Sequence, residues 1–155
     1  MVPHSKLATM IVPQTVTSGG TISGYVDTKG FDFACISLVT ETVAATDIPT
    51  VLRLSEDDTA HSAFTAGTVI TNFVGGTATS TSVGFVIPTP VTTTSVGVNT
   101  YCVQMNVDLR GRKRYLALEF SPITTHTISV DCNLFRGDEL PIGTTKGNVL
   151  AQINA

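Results

Sequence analysis

Thr100–Pro122 reads TYCVQMNVDLRGRKRYLALEFSP, and its alternation decides the fold class. Tyr101, Val103, Met105, Val107 and Leu109 fall on one side of an extended chain, and Cys102, Gln104, Asn106 and Asp108 on the other. Successive strand side chains point to opposite faces, so this period of two predicts a half-buried strand. A second run, Tyr115–Phe120, places Leu116, Leu118 and Phe120 on one face. Between the runs stand Arg110, Gly111, Arg112, Lys113 and Arg114, with a glycine to relieve the backbone. The pattern predicts a long β-hairpin with a cationic tip at the centre of a β-sheet protein.

Outward from that stretch the same signals recur. Thr21–Val26 and Val51–Ser55 are short strands, and Asp27-Thr28-Lys29-Gly30 is a polar turn. Phe31–Thr40 (FDFACISLVT) is apolar at almost every position, which predicts a strand with both faces covered, in mid-sheet or between a sheet and a neighbouring subunit. Thr68–Val74 and Val83–Ile87 read as strands, and Gly75–Ser82 and Thr89–Ser95 as loops. In Thr127–Arg136, Ile128, Val130, Cys132 and Leu134 alternate with polar residues. Eight or nine strands with turn signals between them and no convincing helix predict an all-β chain. The expected fold is an antiparallel β-sandwich of jelly-roll type. An immunoglobulin-like sandwich fits less well, because the chain has no Trp and no paired-cysteine framework. The expected organisation is an N-terminal arm or edge strand at 1–13, a sandwich domain at 14–136 and a C-terminal arm at 137–155.

Composition narrows the function classes. The chain has 155 residues, enough for one domain with an ordinary core. Charged residues are only 14%, against roughly 25% in soluble domains, while Thr occurs 26 times. Such a surface is wet by hydroxyls or covered by other protein. The net charge of −3 gives no general attraction to nucleic acid or anionic membranes. No apolar run is long enough to span a bilayer, and the start lacks the apolar core of a secretory signal. Cys35, Cys102 and Cys132 are odd in number, lie in expected strands and have no CxxC spacing. Buried free thiols and a reducing cytoplasm are expected.

Catalytic and metal motifs do not emerge. His4, His61 and His126 each stand without a second ligand at metal spacing, and His126 reads as a solvated turn residue. No GxSxG, HExxH or phosphate loop occurs, so the chain reads as a non-enzyme needing no cofactor or metal. Glu56-Asp57-Asp58 lacks calcium-loop spacing and reads as a solvated acidic turn. Arg110, Arg112, Lys113 and Arg114 hold four of the nine Lys and Arg residues. They are candidates for a protein contact, to a partner or between subunits, or a turn kept soluble by charge. Nucleic-acid binding would want more interleaved aromatics than Tyr115 alone.

Three stretches, taken in order, resemble a known family: Phe31-Asp32-Phe33-Ala34 after Lys29-Gly30, then Val51–Asp58 (VLRLSEDD), then Val107–Leu116 (VDLRGRKRYL). The set resembles small structural proteins encoded near the major capsid gene of tailed bacteriophages, from roughly Thr28 to Arg136. The DLRGRKRYL stretch is its most specific part, and neither terminal arm matches. The resemblance implies a head decoration (cement) protein, a β-sandwich that forms homotrimers on the capsid and clamps neighbouring capsomers. The implied partners are the major capsid protein and further copies of itself, with no nucleic acid or membrane. The implied location is the capsid surface of the virion, after synthesis in the host cytoplasm. Arg110, Arg112, Lys113, Arg114, Phe31 and Phe33 are the candidate contact residues. The alternatives are a carbohydrate-binding sandwich, or a head-fibre or tail domain on the virion surface.

Overall fold

The computed structural model describes residues 5–43, 49–60, 67–71, 73–74, 77–80, 84–86, 99–136 and 149–154. Two sheets carry the chain. The first has the order β1(Ser5–Val16)-β11(His126–Phe135)-β3(Phe33–Val43)-β9(Asn99–Asp108)-β12(Val149–Asn154)-β6(Phe73–Val74). The second runs β2(Ile22–Asp27)-β10(Tyr115–Ser121)-β4(Val51–Asp57)-β8(Gly84–Val86)-β7(Thr77–Ser80), with β5(Thr68–Val69) also on β4. Pairing is antiparallel apart from β12 with β6 and β4 with β8.

The framework strands β1-β11-β3-β9 and β2-β10-β4-β5 alternate between the sheets as the chain proceeds, except at the β4–β5 hairpin. That is the double Greek key of a jelly roll. Between the sheets lies one apolar core. Ile36, Leu38, Val103 and Val130 enter from the first sheet, and Leu52, Leu54, Leu116 and Leu118 from the second, all at most 1% exposed. Each side chain so buried contributes about 1.5–3 kcal/mol relative to exposure.

Here the fold differs from the expected hairpin. β9 pairs with β3 and β12, and β10 with β2 and β4, so Arg110–Arg114 crosses between sheets instead of turning within one. Type II turn geometry is the physical reason. Arg112 N donates to Leu109 O at 3.0 Å, with Gly111 at φ +91° in the third position. Such a turn splays its flanking chains, whereas hairpins use its mirror image to match strand twist.

β3 does lie mid-sheet, yet its second face is open: Cys35 and Ser37 are half-buried and Val39 is 40% exposed. The N-terminal stretch is an edge strand, extending to Val16. Its register on β11 shifts between Thr9 and Ile11 and again between Ile11 and Gln14, where Pro13 sits. Proline has no N–H to give a ladder, so a bulge in a terminal strand is where it fits. In the expected C-terminal arm, Val149–Asn154 forms β12 and pairs along β9 from Val107 to Cys102. Of the two expected loops, Thr77–Ser80 is a strand, and 89–95 lies outside the described residues, as do His4 and His61.

Candidate functional site

The arginine turn closes one end of the sandwich. Asp108, nearly buried, takes three hydrogen bonds from Arg110: backbone N and Nε to Oδ1, and Nη2 to Oδ2, each 3.0 Å. Held this way, the Arg110 guanidinium lies 4.8 Å over the Phe33 ring. Phe33 is in register with Asp108 and Phe135, on the face of the first sheet away from the core, and Arg110 covers it. Phe31 is half-buried and packs against the core instead. Of the six candidate residues, Arg110 and Phe33 thus meet.

Arg112 and Lys113 turn to β4. Arg112 Nη1 sits 3.3 Å from Glu56 Oε2, both side chains being largely buried. Lys113 N donates to the same oxygen at 3.4 Å, and its Nζ to Thr68 Oγ1 at 3.3 Å. Arg114 turns to β2, where Nε reaches Asp27 Oδ1 at 2.9 Å and Nη2 reaches Oδ2 at 2.6 Å. Its guanidinium also lies 4.8 Å over Tyr115. Bidentate carboxylate pairs are the geometry arginine fits best. The four basic residues thus bind their own chain at three places, a reading that the linear run of charge left open. They brace β9, β4 and β2 where the sandwich ends.

The Arg114 hydrogen bonds hold the Asp27 carboxyl down, from 3.8 to about 2. A carboxylate depressed by folding stabilises the fold above its unfolded value and loses that contribution as the pH falls through its folded value. Stability from this pair is therefore present above about pH 4 and is lost as the pH falls through about 2. In Asp27→Asn, urea midpoints measured from pH 5 to pH 2 are expected to lose that part of the acid slope. Since both partners are well exposed, added salt should shrink the difference. An unchanged slope would show that the pair is not coupled to folding.

Other expected sites resolve differently. Glu56 faces Arg112, while Asp57 Oδ1 accepts from Asp58 N at 2.6 Å and Thr59 N at 3.2 Å, so the acidic turn's carboxylates diverge. His126 is 2% exposed and not solvated, because β11 opens on it with its side chain inward; Nε2 lies 3.2 Å from Thr124 Oγ1. All three cysteines are free, but only Cys132 is buried; Cys35 and Cys102 are half-buried on the outer face of the first sheet. Burial pushes the Cys132 thiol up to about 12. Cys35 pairs in register with Asn106, and Cys102 with Val39. That offset of four residues, about 13 Å, is beyond disulfide reach.

The outer faces of the two sheets contrast. On the second sheet Ser55, Ala117 and Glu119 are buried although they point away from the core. On the first sheet the outward residues beyond the Phe33–Asp108 end stay partly open. Ser37, Gln104, Asn106, Ser129 and Asn133 line it, with Leu7, Val39 and Phe135 as exposed apolar residues. Gln104 Nε2 donates to Cys35 Sγ at 2.9 Å and to Asn106 Oδ1 at 3.3 Å. Between the Asp108–Arg110 pair at one end and Glu41 at the other, Asp131 is the only formal charge among the described residues of this face, and it accepts from Thr9 Oγ1 at 2.9 Å. No single strand announces this surface, because four separate segments supply it.

No protein-family model, no curated protein and no solved structure matches the chain.

Proposed function

We propose that this chain is a virion structural protein, a decoration protein that binds the outside of a tailed-phage head and bridges neighbouring capsomers. The observation that carries the proposal is the amide- and hydroxyl-lined face of the first sheet, which carries Asp131 as its one formal charge among the described residues between its ends. A nearly neutral sheet face suits contact with protein more than capture of a charged ligand. The resemblance around Asp108–Leu116 and the jelly-roll order support the same reading. Its mechanism is cohesion: each copy adds a modest contact, and contacts linked by capsid symmetry sum by multivalency. Binding the assembled shell alone stabilises that state by linkage.

A carbohydrate-binding role finds less support. Tyr25 is 49% exposed, but it meets Tyr115 edge-on at 6.4 Å and 70°, and Arg114 occupies a face of Tyr115. The two rings do not make a shared stacking platform.

Purified protein mixed with undecorated capsids is expected to pellet with them and to raise their melting temperature. Protein that stays in the supernatant at saturating shell concentration would overturn the proposal. Arg112 and Arg114 are poor probes of shell contact, because their side chains already tie β4 and β2 to the turn.

A further inference from the structure

We infer that the end of the sandwich beside the β1–β2 seam docks on an acidic protein surface, through Lys6, Lys29 and Arg136. This deepens the proposed function by giving the shell contact a chemistry, and its test also stands without a shell. The three cations come from separate segments that the fold gathers. Lys6 stands opposite Leu134 on β11, and Arg136 follows Phe135 on that strand. Asp32 N donates to Phe135 O at 2.9 Å, which sets the β2–β3 turn carrying Lys29 against the same end. Lys29 N donates in turn to Asp27 Oδ1 at 3.0 Å, and Asp27 holds Arg114. All three side chains are exposed, and among the described residues none of their charged groups has an ion pair or hydrogen bond. In this they differ from Arg112, Lys113 and Arg114, which are tied to their own chain.

Charge at this corner opposes that of the whole chain. Lys6, Lys29, Arg110, Arg114 and Arg136 stand with Asp27, Asp32 and Asp108, five cations against three carboxylates. The chain as a whole carries −3. Glu56, Asp57 and Asp58 lie apart on β4 and its following turn, with β10 between them and β2. A positive corner on an acidic chain draws in negative charge and orients the molecule as it approaches.

Three features select protein carboxylates as that charge. Leu7, 66% exposed, adjoins Lys6, and Phe135, 38% exposed, adjoins Arg136, so large apolar side chains stand among the cations. Arginine beside exposed aromatic area is a composition enriched at protein interfaces. Asp27, Asp32 and Asp108 are interspersed with the cations and would repel a continuous row of phosphates, whereas separate carboxylates can each pair with one cation. A second copy meeting corner to corner would set like charge against like.

The test is fluorescence anisotropy of labelled decaglutamate titrated with the purified full chain at pH 7. The wild type is expected to bind it saturably at about 0.02 M salt and to release it by about 0.5 M, as screening requires. Lys6→Gln/Lys29→Gln/Arg136→Gln is expected to bind about 10-fold more weakly, from a few-fold at each exposed pair, with an unchanged melting temperature. Lys6→Arg/Lys29→Arg keeps the charge and should bind like the wild type. A wild type that ignores decaglutamate at low salt would overturn the inference, as would a folded triple variant that binds it equally well. So would much tighter binding of a charge-matched oligothymidylate, which would mark the corner as a phosphate site. Undecorated capsids that pellet the wild type and the triple variant alike would also overturn it, leaving the decoration role standing. A wild type that binds decaglutamate but no capsid would support the inference and count against the decoration role alone.

Discussion

Arg53→Met is expected to lower the folding free energy by about 3–5 kcal/mol, the usual consequence of stranding one member of a buried ion pair. Arg53 on β4 stands directly opposite Glu119 on β10. Its Nε donates to Glu119 Oε1 at 3.0 Å, and Nη2 bonds the same oxygen. The Glu119 side chain is only 8% exposed, so water cannot replace the lost cation. A carboxylate left there must stay charged without its partner or take up a proton, and both are costly. Arg53→Met/Glu119→Leu removes both charges and should recover most of the loss, since well-packed apolar pairs often equal buried ion pairs. Urea unfolding of the two variants with matched m-values checks this. A single-variant loss below about 1 kcal/mol would mean the pair behaves as an exposed one.

Gly24→Ala is expected to cost about 3 kcal/mol, the upper end of ordinary overpacking. A Cβ added at Gly24 would stand 1.9 Å from Met10 O and 2.8 Å from Ile11 Cγ1. Met10 and Ile11 belong to β1 in the first sheet and Gly24 to β2 in the second, so the backbones touch where the sandwich closes along one side. Main chain cannot rotate aside as a flexible side chain would. The sheets must part locally, pulling Met10 and Ile11 from the core that they help fill. Thermal unfolding should show the loss together with faster amide exchange in β1 and β2. An alanine variant as stable as the wild type would mean that this seam opens at little cost.

Strand identity was legible wherever one face is buried and its neighbours are polar. Ile128, Val130, Cys132 and Leu134 are all at most 1% exposed, as their alternation requires. Strand pairing was not legible. In a sandwich the inner faces of both sheets are apolar and point at each other, so a crossing between sheets produces the same pattern as a hairpin. Arg110-Gly111 held a usable clue. Its glycine, in second place, suits a type II turn, the form that splays the flanking strands. The cationic run was equally plain, but two of its three carboxylates, Asp27 and Glu56, lie far away in sequence and reach the turn only through β2 and β4. Alternation in β9 does show Cys102, Gln104 and Asn106 sharing a side. It cannot show that Ser37, Ser129 and Asn133 complete the same surface, because register between strands decides that.

The bulged edge strand has a consequence for how such a protein stays countable. A sheet that ends in a straight, unpaired strand invites another strand to add, then another, towards fibres. β1 ends the first sheet with two breaks in register, a proline in mid-strand and an exposed lysine, Lys6. Each makes strand addition at that edge less favourable. With this edge blunted, open-ended addition of strands into filaments is disfavoured at that side of the sheet.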